Sequence, residues 1–261
     1  MSFITVSNLW KEYGGQVVLE NLNLEVQQGE FCTLVGASGC GKSTFLKMLL
    51  GQETQSRGEL LLEGKPFPGE PDRNRGIVFQ RYSVFPHLTV RQNVLMGLEL
   101  EQKPRLGKLF GSARRAALEK VDAMLVSVGL EGSADKWPHE LSGGMQQRLA
   151  IAQSLIMRPR VVLLDEPFGA LDPGIRKDMH DLLLKLWRET GTTIFMVTHD
   201  LKEGFYLGTR LLVFDKVRHD PHDPQAFGAT ITYDLPIARA DSKLFEDIKD
   251  SVAQTARHQA A

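Results

Sequence analysis

The stretch GASGCGKST, residues 36–44, fits the pattern G-x-x-x-x-G-K-[ST]. Its three glycines allow the chain to curl so that backbone N–H groups point inward at phosphate oxygens. The run FCTLVG before it is apolar, and KSTFLKMLLG after it has the spacing of a helix that ends at Gly51. This order of strand, glycine-rich loop and helix predicts an α/β fold with a phosphate-binding loop. The alternative is a glycine-rich turn that binds nothing.

Every residue of this loop is a candidate for binding a nucleotide. Lys42 is expected to reach the β- and γ-phosphates, and the Ser43 hydroxyl is expected to bind Mg²⁺. Cys40 lies near a helix N-terminus, which predicts a lowered thiol pKa and a block of activity by alkylation, unless it is merely a small loop residue. The predicted binding residues are Gly36, Ala37, Ser38, Gly39, Cys40, Gly41, Lys42, Ser43 and Thr44.

The segment VVLLDEP, residues 161–167, places two carboxylates at the end of an apolar run. Apolar residues without alternation are typical of a strand buried in a parallel sheet, and ligands bind at the ends of such strands. We expect Asp165 to hold Mg²⁺ through water and Glu166 to polarise an attacking water. The alternative is that both carboxylates cap the helix that follows Pro173.

Two further polar residues end predicted strands. His199 ends TTIFMVTH, a strand expected beside VVLLD, so its imidazole is placed to donate to a γ-phosphate or to hold Glu166. Gln80 ends RGIVFQ and is a candidate ligand of Mg²⁺ or of water. The alternatives are a structural histidine and an ordinary surface glutamine.

The segment LSGGMQQR, residues 141–148, predicts a second place where phosphate binds. Ser142 is a favoured helix N-cap, and Gly143 and Gly144 allow a ligand close to the backbone. The N-terminus of a helix gathers N–H groups and a partial positive charge, which suit an anion. The chain therefore carries two candidate phosphate-binding motifs.

Tyr13, in the segment KEYGG, is a candidate for stacking on a nucleobase. Stacking of a base on an aromatic side chain contributes about 1–3 kcal/mol. An aromatic residue in an N-terminal hairpin is equally often a cross-strand packing residue. Both interpretations of Tyr13 stay open at this point.

The bulk composition excludes several classes of protein. Of 261 residues, 42% are hydrophobic and 24% charged, and the net charge of −1 gives no indication of nucleic-acid binding. No apolar run approaches the roughly 20 residues that cross a bilayer, and no secretory signal is recognisable. Cys32 and Cys40 lack metal-ligand spacing, so we expect a reduced, cytoplasmic protein.

The remaining patterns predict one domain built from several parts. FITVSNL, VVLENLNLEV and FCTLVG alternate like antiparallel strands and predict an N-terminal antiparallel β subdomain. Residues 81–158 are mostly helical in pattern and predict an inserted helical subdomain, in which residues 101–115 form a basic loop. Residues 1–80 and 159–240 then form a core with a mostly parallel sheet, and residues 241–261 a C-terminal helix or tail.

Single elements of the core follow from the same patterns. A helix is expected from Pro173 to Thr190, because proline is favoured in the first turn. LLVFDK and ATITYDL are expected to be edge strands.

Together these motifs resemble those of the ATP-binding-cassette (ABC) ATPases, the motor subunits of ABC transporters. LSGGMQQR is the specific element, because P-loop kinases and small GTPases have nothing like it. The resemblance covers almost the whole chain and implies a P-loop NTPase core that binds ATP with Mg²⁺. It implies these roles: GASGCGKST as Walker A, Gln80 as the Q-loop glutamine, VVLLDEP as Walker B, GALD with Asp172 as the D-loop, His199 as the switch histidine and Tyr13 as the adenine-stacking aromatic.

The resemblance also implies partners. Members of the family form head-to-tail homodimers, so Ser142 and Gly144 are expected to contact the γ-phosphate bound at the partner's Lys42. RYSVFPHLTV, residues 81–90, is expected to line a groove that receives a short cytoplasmic helix of an integral membrane permease, unless it packs at a subdomain junction. The apolar side chains expected there are Tyr82, Phe85, Pro86 and Leu88.

NLWKEYGG, VFPHLTVRQNV and DEPFGALDP are most similar to importer ATPases of the nitrate, sulfonate and taurine type. Such importers work with a periplasmic substrate-binding protein, and their ATPases lie at the cytoplasmic face of the inner membrane. Gly204 departs from the family, which usually has alanine there. ATITYDLP resembles a subgroup found with urea-degradation genes, so urea or guanidine is an expected cargo besides sulfonates.

Other functions remain as alternatives to import. A non-transport ABC ATPase acting on ribosomes or DNA usually has two cassettes or a long insert, and this sequence shows neither. A regulatory cassette that binds nucleotide without hydrolysis is disfavoured by Lys42, Asp165, Glu166 and His199. Exporters more often fuse the membrane domain to the cassette.

Overall fold

A computed structural model describes residues 2–80, 83–102, 108–218, 222 and 226–237. The predicted C-terminal helix or tail and Tyr82 lie outside the described residues. The chain divides into two compact units, one formed by Met1–Asp72 with Thr193–Ala261 and one by Arg73–Thr192. The segment with the mostly helical pattern belongs to the second unit.

Strands and helices are mixed along the chain, which confirms the α/β class. The strands are β1 (Ile4–Tyr13), β2 (Gln16–Val26), β3 (Phe31–Val35), β4 (Arg57–Leu62), β5 (Lys65–Pro66), β6 (Arg75–Val78), β7 (Val161–Asp165), β8 (Thr193–Val197), β9 (Arg210–Asp215) and β10 (Thr230–Pro236). The helices are α1 (Lys42–Leu50), α2 (Val90–Gln102), α3 (Gly111–Ser127), α4 (Gly143–Leu155), α5 (Pro173–Thr190) and α6 (Leu201–Leu207).

The first unit contains a four-stranded sheet in the order β2-β1-β4-β5. All its strand pairs are antiparallel, and the first pair runs from Ile4 opposite Val26 to Tyr13 opposite Gln16. Buried and exposed residues alternate along the second half of β2, as expected where one face of a sheet covers a core. The predicted antiparallel β subdomain is confirmed for its first two strands.

Strand β3 contradicts the prediction of antiparallel pairing for FCTLVG. It pairs in parallel with both β8 and β9, and all five of its residues are buried. A strand with neighbours on both sides and covered faces has no solvent-facing side, so the alternation that indicates antiparallel pairing carries no information here. β9 pairs with β10 as well as with β3, so the assignment of LLVFDK to an edge is also wrong.

Helix α1 follows β3 through the glycine-rich loop and packs on the parallel strands. It ends as predicted at Gly51, which adopts the left-handed conformation with φ of 84°. The ring of Phe45 lies 6.3 Å from that of Phe195 on β8 and 5.7 Å from that of Phe214 on β9. All three rings are fully buried, and burial of each contributes about 1.5–3 kcal/mol. The loop before α1 therefore rests on a well-packed base.

In the second unit, β6 and β7 pair in parallel, with Val78 opposite Leu164. Helix α5 has the predicted bounds, with proline in its first turn and a left-handed Gly191 after its last residue.

The predicted basic loop over residues 101–115 is wrong at both ends. α2 includes its first two residues, and α3 begins at Gly111 because the alanine- and arginine-rich run that follows favours a helix. Residues 103–107 lie outside the described residues. Among the helices in the described ranges, none has both the length and the apolar composition needed to span a membrane.

Candidate functional site

The glycine-rich loop is shaped by two glycines that have no room for a side chain. Gly36 has a φ of 146°, and a Cβ there would lie 2.1 Å from the carbonyl oxygen of Phe214. Gly41 has a φ of 80°, and its Cβ would lie 2.4 Å from a methyl group of Leu19. Both positions therefore require glycine. The loop passes close against β9 at one end and against β2 at the other.

The loop exposes part of its surface to solvent. Ser38, Gly39 and Ser43 are exposed, and Thr44 is half-buried. Ala37 is buried. The exposed residues lie before and at the start of α1, where backbone N–H groups and the helix dipole favour an anion.

The amino group of Lys42 is held by the loop itself. Its Nζ donates to the carbonyl oxygens of Gly36 and Ala37, both at 2.8 Å, and to Sγ of Cys40 at 3.4 Å. The side chain is buried, and these three contacts match the three donors of an ammonium group. A phosphate that binds Lys42 must replace some of these contacts with stronger, charge-assisted ones.

The predicted lowering of the Cys40 pKa is wrong. Burial raises the pKa of this thiol, because the side chain is only 2% exposed and the thiolate is poorly solvated there. The charge and hydrogen bonds of Lys42 act in the opposite direction but do not outweigh burial. Proximity to a helix N-terminus favours a thiolate in general, but burial is the largest influence on the pKa of this thiol.

Tyr13 lies at the end of β1 and is 41% exposed. The ammonium group of Lys11 lies 4.5 Å from the centroid of its ring. The pKa of Tyr13 is raised, first by burial and then by a hydrogen bond with the Glu53 carboxylate and by its charge, while a hydrogen bond with Thr44 lowers it. Tyr13 is thus an exposed ring whose hydroxyl is turned towards the first turn of α1, a placement that favours stacking over cross-strand packing.

His199 leaves the parallel strands at the same edge as the phosphate loop. Leu34 of β3 is opposite Val197 of β8, and each chain continues from there, one to Gly36 and the other to His199. β8 ends before Thr198, so His199 lies beyond the strand that it was expected to end, and its side chain is exposed. The first unit therefore brings this imidazole and the phosphate loop to one edge of its parallel strands.

The two carboxylates and the glutamine lie together in the second unit. Asp165 is the last residue of β7, and Glu166 follows it with a φ of 46°, a left-handed conformation that is rare for a residue other than glycine. Nε2 of Gln80 donates to Oε2 of Glu166 at 3.2 Å. Gln80 follows the end of β6 at Val78, so these residues leave adjacent parallel strands at one edge.

The second glycine-containing motif begins α4. Ser142 is the N-cap, and its Oγ accepts a hydrogen bond from the Met145 amide at 3.4 Å. Gly143 is exposed and Gly144 is buried. A Cβ at Gly144 would lie only 2.7 Å from Cγ2 of Ile175 on α5. Gly144 therefore allows α4 to pack against α5.

Asp172, the D-loop residue, is exposed at the N-cap of α5, where its side chain makes no capping hydrogen bond.

Two residues beside Tyr13 are not indicated by any sequence motif. Lys11 and Glu53 form an ion pair of 2.8 Å, and Lys11 is 7% exposed. Lys11 stands two positions after the buried Leu9, in the phase of β1 that faces the core. A lysine in that phase predicts a buried partner, but the pattern does not identify Glu53. Ile175 was missed for a related reason, since nothing in its own segment indicates the contact with Gly144.

Comparison with protein families matches residues 19–169 to the family described as ABC transporter. Among curated relatives, the aliphatic sulfonates import ATP-binding protein SsuB of Bacillus licheniformis is 39% identical over 90% of this chain and 85% of the relative. The taurine import ATP-binding protein TauB of Escherichia coli O157:H7 is 41% identical over 80% of this chain and 78% of the relative. The match includes the phosphate loop, the Gly144 motif and both carboxylates.

A solved structure has the same fold. The ATP-binding cassette MJ0796, described as dimeric in a post-hydrolysis state with ADP and Pi, has a TM-score of 0.71 to this chain and 27% identity. The similarity covers 91% of this chain and 100% of MJ0796.

Proposed function

This chain belongs to the ABC transporter family and is an ATP-hydrolysing enzyme of its importer type, and from that premise we propose that it drives uptake of a small solute through a separate membrane permease. The observation that carries the hydrolytic role is the pair formed by Glu166 and Gln80, with 3.2 Å between Oε2 and Nε2 at the end of adjacent strands. A carboxylate held there is suited to accept a proton from an attacking water.

The proposed chemistry assigns a role to each side chain. Lys42 binds the β- and γ-phosphates of ATP, Glu166 polarises the water, and His199 holds the γ-phosphate or the glutamate. Tyr13 stacks on adenine. Mg²⁺ is assigned to Ser43, Asp165 and Gln80, whose hydroxyl, carboxylate and amide oxygens are the donor types that this ion prefers, and it neutralises phosphate charge when bound.

We further propose a head-to-tail homodimer in which Ser142, Gly143 and Gly144 contact the nucleotide of the other subunit, with the D-loop residue Asp172 close by. The dimeric state of MJ0796 supports this arrangement. So does the exposed N-terminus of α4, which offers N–H groups and a hydroxyl to an anion. ATP then stabilises the closed dimer as long as its γ-phosphate links the two subunits, and hydrolysis removes the link.

The permease is proposed to bind at residues 81–90. Phe85 is 39% exposed and lines a cavity of about 280 Å³ in the second unit, together with Phe79 and Met157. The buried Asn93 fixes this turn, because its side chain accepts from the Phe85 amide at 2.8 Å and donates to the carbonyls of Phe85 and Leu88. Such a preformed apolar surface suits a short helix of a membrane protein.

The cargo is proposed from the relatives. SsuB and TauB are named for aliphatic sulfonates and taurine, so a small sulfonate is the first candidate. A urea- or guanidine-like compound is the second, from the resemblance of ATITYDLP. A periplasmic binding protein would select the cargo, and the chain would act at the cytoplasmic face of the inner membrane through its permease.

The test is copurification from detergent-solubilised membranes with the Phe85→Glu variant. We expect an integral membrane protein to copurify with the unaltered chain and to be lost by about tenfold or more from the variant, because a buried charge opposes docking. ATP hydrolysis by the isolated chain should stay within about twofold. Phe110→Glu is the matched control, since Phe110 is 71% exposed on the same unit. Retention by Phe85→Glu, or copurification of ribosomes instead, would contradict the proposal.

A further inference from the structure

We propose that Lys11 and Glu53 are positioning residues that hold the ring of Tyr13 as a rigid platform for the base of the bound nucleotide. The inference rests on the proposed stacking role of Tyr13 and goes beyond it, because it assigns base affinity to an ion pair that need not touch the nucleotide.

Lys11 is the buried partner of this ion pair, and the Glu53 side chain is 30% exposed. Nζ of Lys11 lies 2.8 Å from Oε2 of Glu53 and donates to the carbonyl oxygen of Thr54 at 2.7 Å. Lys11 is 7% exposed, so its charge is poorly screened by water. The pKa of Glu53 is lowered, mainly by its hydrogen bond with Lys11, so the carboxylate is charged when nucleotide binds. The ammonium group is therefore fixed in one place.

That fixed ammonium group covers one face of Tyr13. Nζ lies 4.5 Å from the ring centroid, which is within the range of a cation–π contact. The ring is nevertheless 41% exposed, so its free area is left for a ligand. A cation behind the ring draws on its electrons and leaves the open face better suited to the electron-rich face of a purine.

The hydroxyl of Tyr13 connects the platform to the phosphate loop. It interacts with Glu53, just beyond the end of α1, and with Thr44 in the first turn of α1. Since α1 begins at the loop residue Lys42, the ring and the phosphate-binding residues belong to one packed assembly. Such preorganisation strengthens binding, because less side-chain freedom is lost when the base stacks.

The chain offers a matched control in Arg57, on the neighbouring strand β4 opposite Trp10 of β1. The guanidinium of Arg57 lies 4.3 Å from the ring of Trp10 and pairs with Glu12, which repeats the arrangement of cation, ring and carboxylate. Trp10 and Glu12 alternate with Lys11 and Tyr13 along β1. The Arg57 side chain is 60% exposed, so the loss of its contacts should not affect nucleotide binding.

The experiment compares binding of ATP with binding of inorganic tripolyphosphate, which has no base, by titration calorimetry on the full chain. We expect Lys11→Met to weaken ATP binding about tenfold and to raise KM without changing kcat by more than about twofold, the size expected for a lost, partly desolvated cation–π contact. Tripolyphosphate binding should not change. Lys11→Arg should restore ATP binding to within about threefold, because it keeps the cation, and Arg57→Met should bind ATP like the unaltered chain.

Glu53→Gln, which keeps the shape of the side chain, provides a second test if Lys11→Met does not fold. It should weaken ATP binding by about threefold to tenfold and again leave tripolyphosphate binding unchanged. Equal losses for both ligands, or unchanged ATP binding, in either variant would overturn the inference. Tyr13→Ala distinguishes the proposed stacking role of Tyr13 from the proposed positioning role of Lys11 and Glu53. If it leaves ATP affinity unchanged, the proposed stacking fails. If it alone weakens ATP binding, only the role of Lys11 and Glu53 fails.

Discussion

Two motifs of this chain join glycines to the start of a helix, and the structure shapes them differently. In the loop of residues 36–44, Gly36 and Gly41 hold left-handed backbone against neighbouring strands. Lys42 adds a positive charge whose contacts are all made within the loop. This loop therefore has both the curl and the charge needed to hold a phosphate chain without help.

The motif of residues 141–148 has neither feature. Gly143 and Gly144 are ordinary helical residues, and its one cation, Arg148, donates to the carbonyl oxygen of Val128 at 2.8 Å. At the exposed start of α4, the hydroxyl of Ser142 and the N–H groups of the helix N-terminus are available to a ligand. A hydroxyl and the N–H groups of a helix N-terminus bind phosphate more weakly than a charged side chain does through charge-assisted hydrogen bonds. This motif is therefore suited to strengthen the binding of a nucleotide that is already held elsewhere.

The largest expected effect comes from Glu166→Gln. A glutamine cannot take a proton from water, so hydrolysis should fall about 10²–10⁴-fold while ATP remains bound. Both motifs then stay engaged, and the variant should elute as a dimer in saturating ATP. Phosphate release and light scattering after gel filtration measure the two results.

Glu189→Gln is the control for this variant, because Glu189 is an exposed residue of α5 paired only loosely with Lys185 at 4.0 Å. Adding Ser142→Ala to Glu166→Gln should remove the dimer and leave the affinity of a single chain for ATP unchanged. Adding Lys42→Ala to Glu166→Gln should abolish both dimer formation and the binding of ATP by a single chain. A monomeric Glu166→Gln that hydrolyses ATP at the normal rate would contradict the catalytic assignment. If the two double variants had the same ATP affinity, the proposed difference between the two motifs would be wrong.

Local signals explain which parts of the fold could be predicted from the sequence. Both ends of α5 follow from residues inside or next to the helix, a proline that suits the first turn and Gly191 that adopts the left-handed conformation. The direction of β3 is different, because it depends on β8 and β9, which lie far away in the sequence. A short apolar run predicts a strand, but it does not reveal whether its neighbours are parallel.

A smaller effect is expected when Gly144 is replaced by alanine. The added Cβ would lie 2.7 Å from Cγ2 of Ile175, so the free energy of unfolding should fall by about 1–3 kcal/mol. Ile175→Ala in the same chain should restore most of the loss, and urea unfolding of the four combinations gives the coupling between the residues. Gly174→Ala is the control, because a Cβ there meets nothing within 4 Å. An unchanged stability of Gly144→Ala would show that this glycine serves ligand approach alone.

The residues of the site, like the elements of the fold, fall into those that local sequence predicts and those that depend on distant parts of the chain. The loop, Gln80 and Glu166 belong to short motifs whose chemistry is readable in sequence, and the structure places the last two within hydrogen-bond distance. The environment of Cys40 is not readable, because its burial is created by distant strands that pack around the loop. For the same reason, the sequence does not identify Glu53 as the partner of Lys11.

The smallest expected effect is the slow alkylation of Cys40. Its rate reports whether this buried residue of the phosphate loop stays inaccessible while neighbouring loop residues are exposed. A raised pKa means that less thiolate is present at a given pH, so modification by iodoacetamide should be slower than that of a free cysteine at neutral pH and should accelerate as the pH rises. Mass spectrometry after short exposures from about pH 6 to 9 measures the rate. Cys40→Ser is the control, since burial also raises the pKa of the remaining Cys32. Modification at neutral pH as fast as that of a free thiol would contradict this expectation. It would mean that, without nucleotide, the loop opens and Lys42 releases the carbonyl oxygens to which it donates. The loop would then be no more preformed for phosphate binding than the N-terminus of α4.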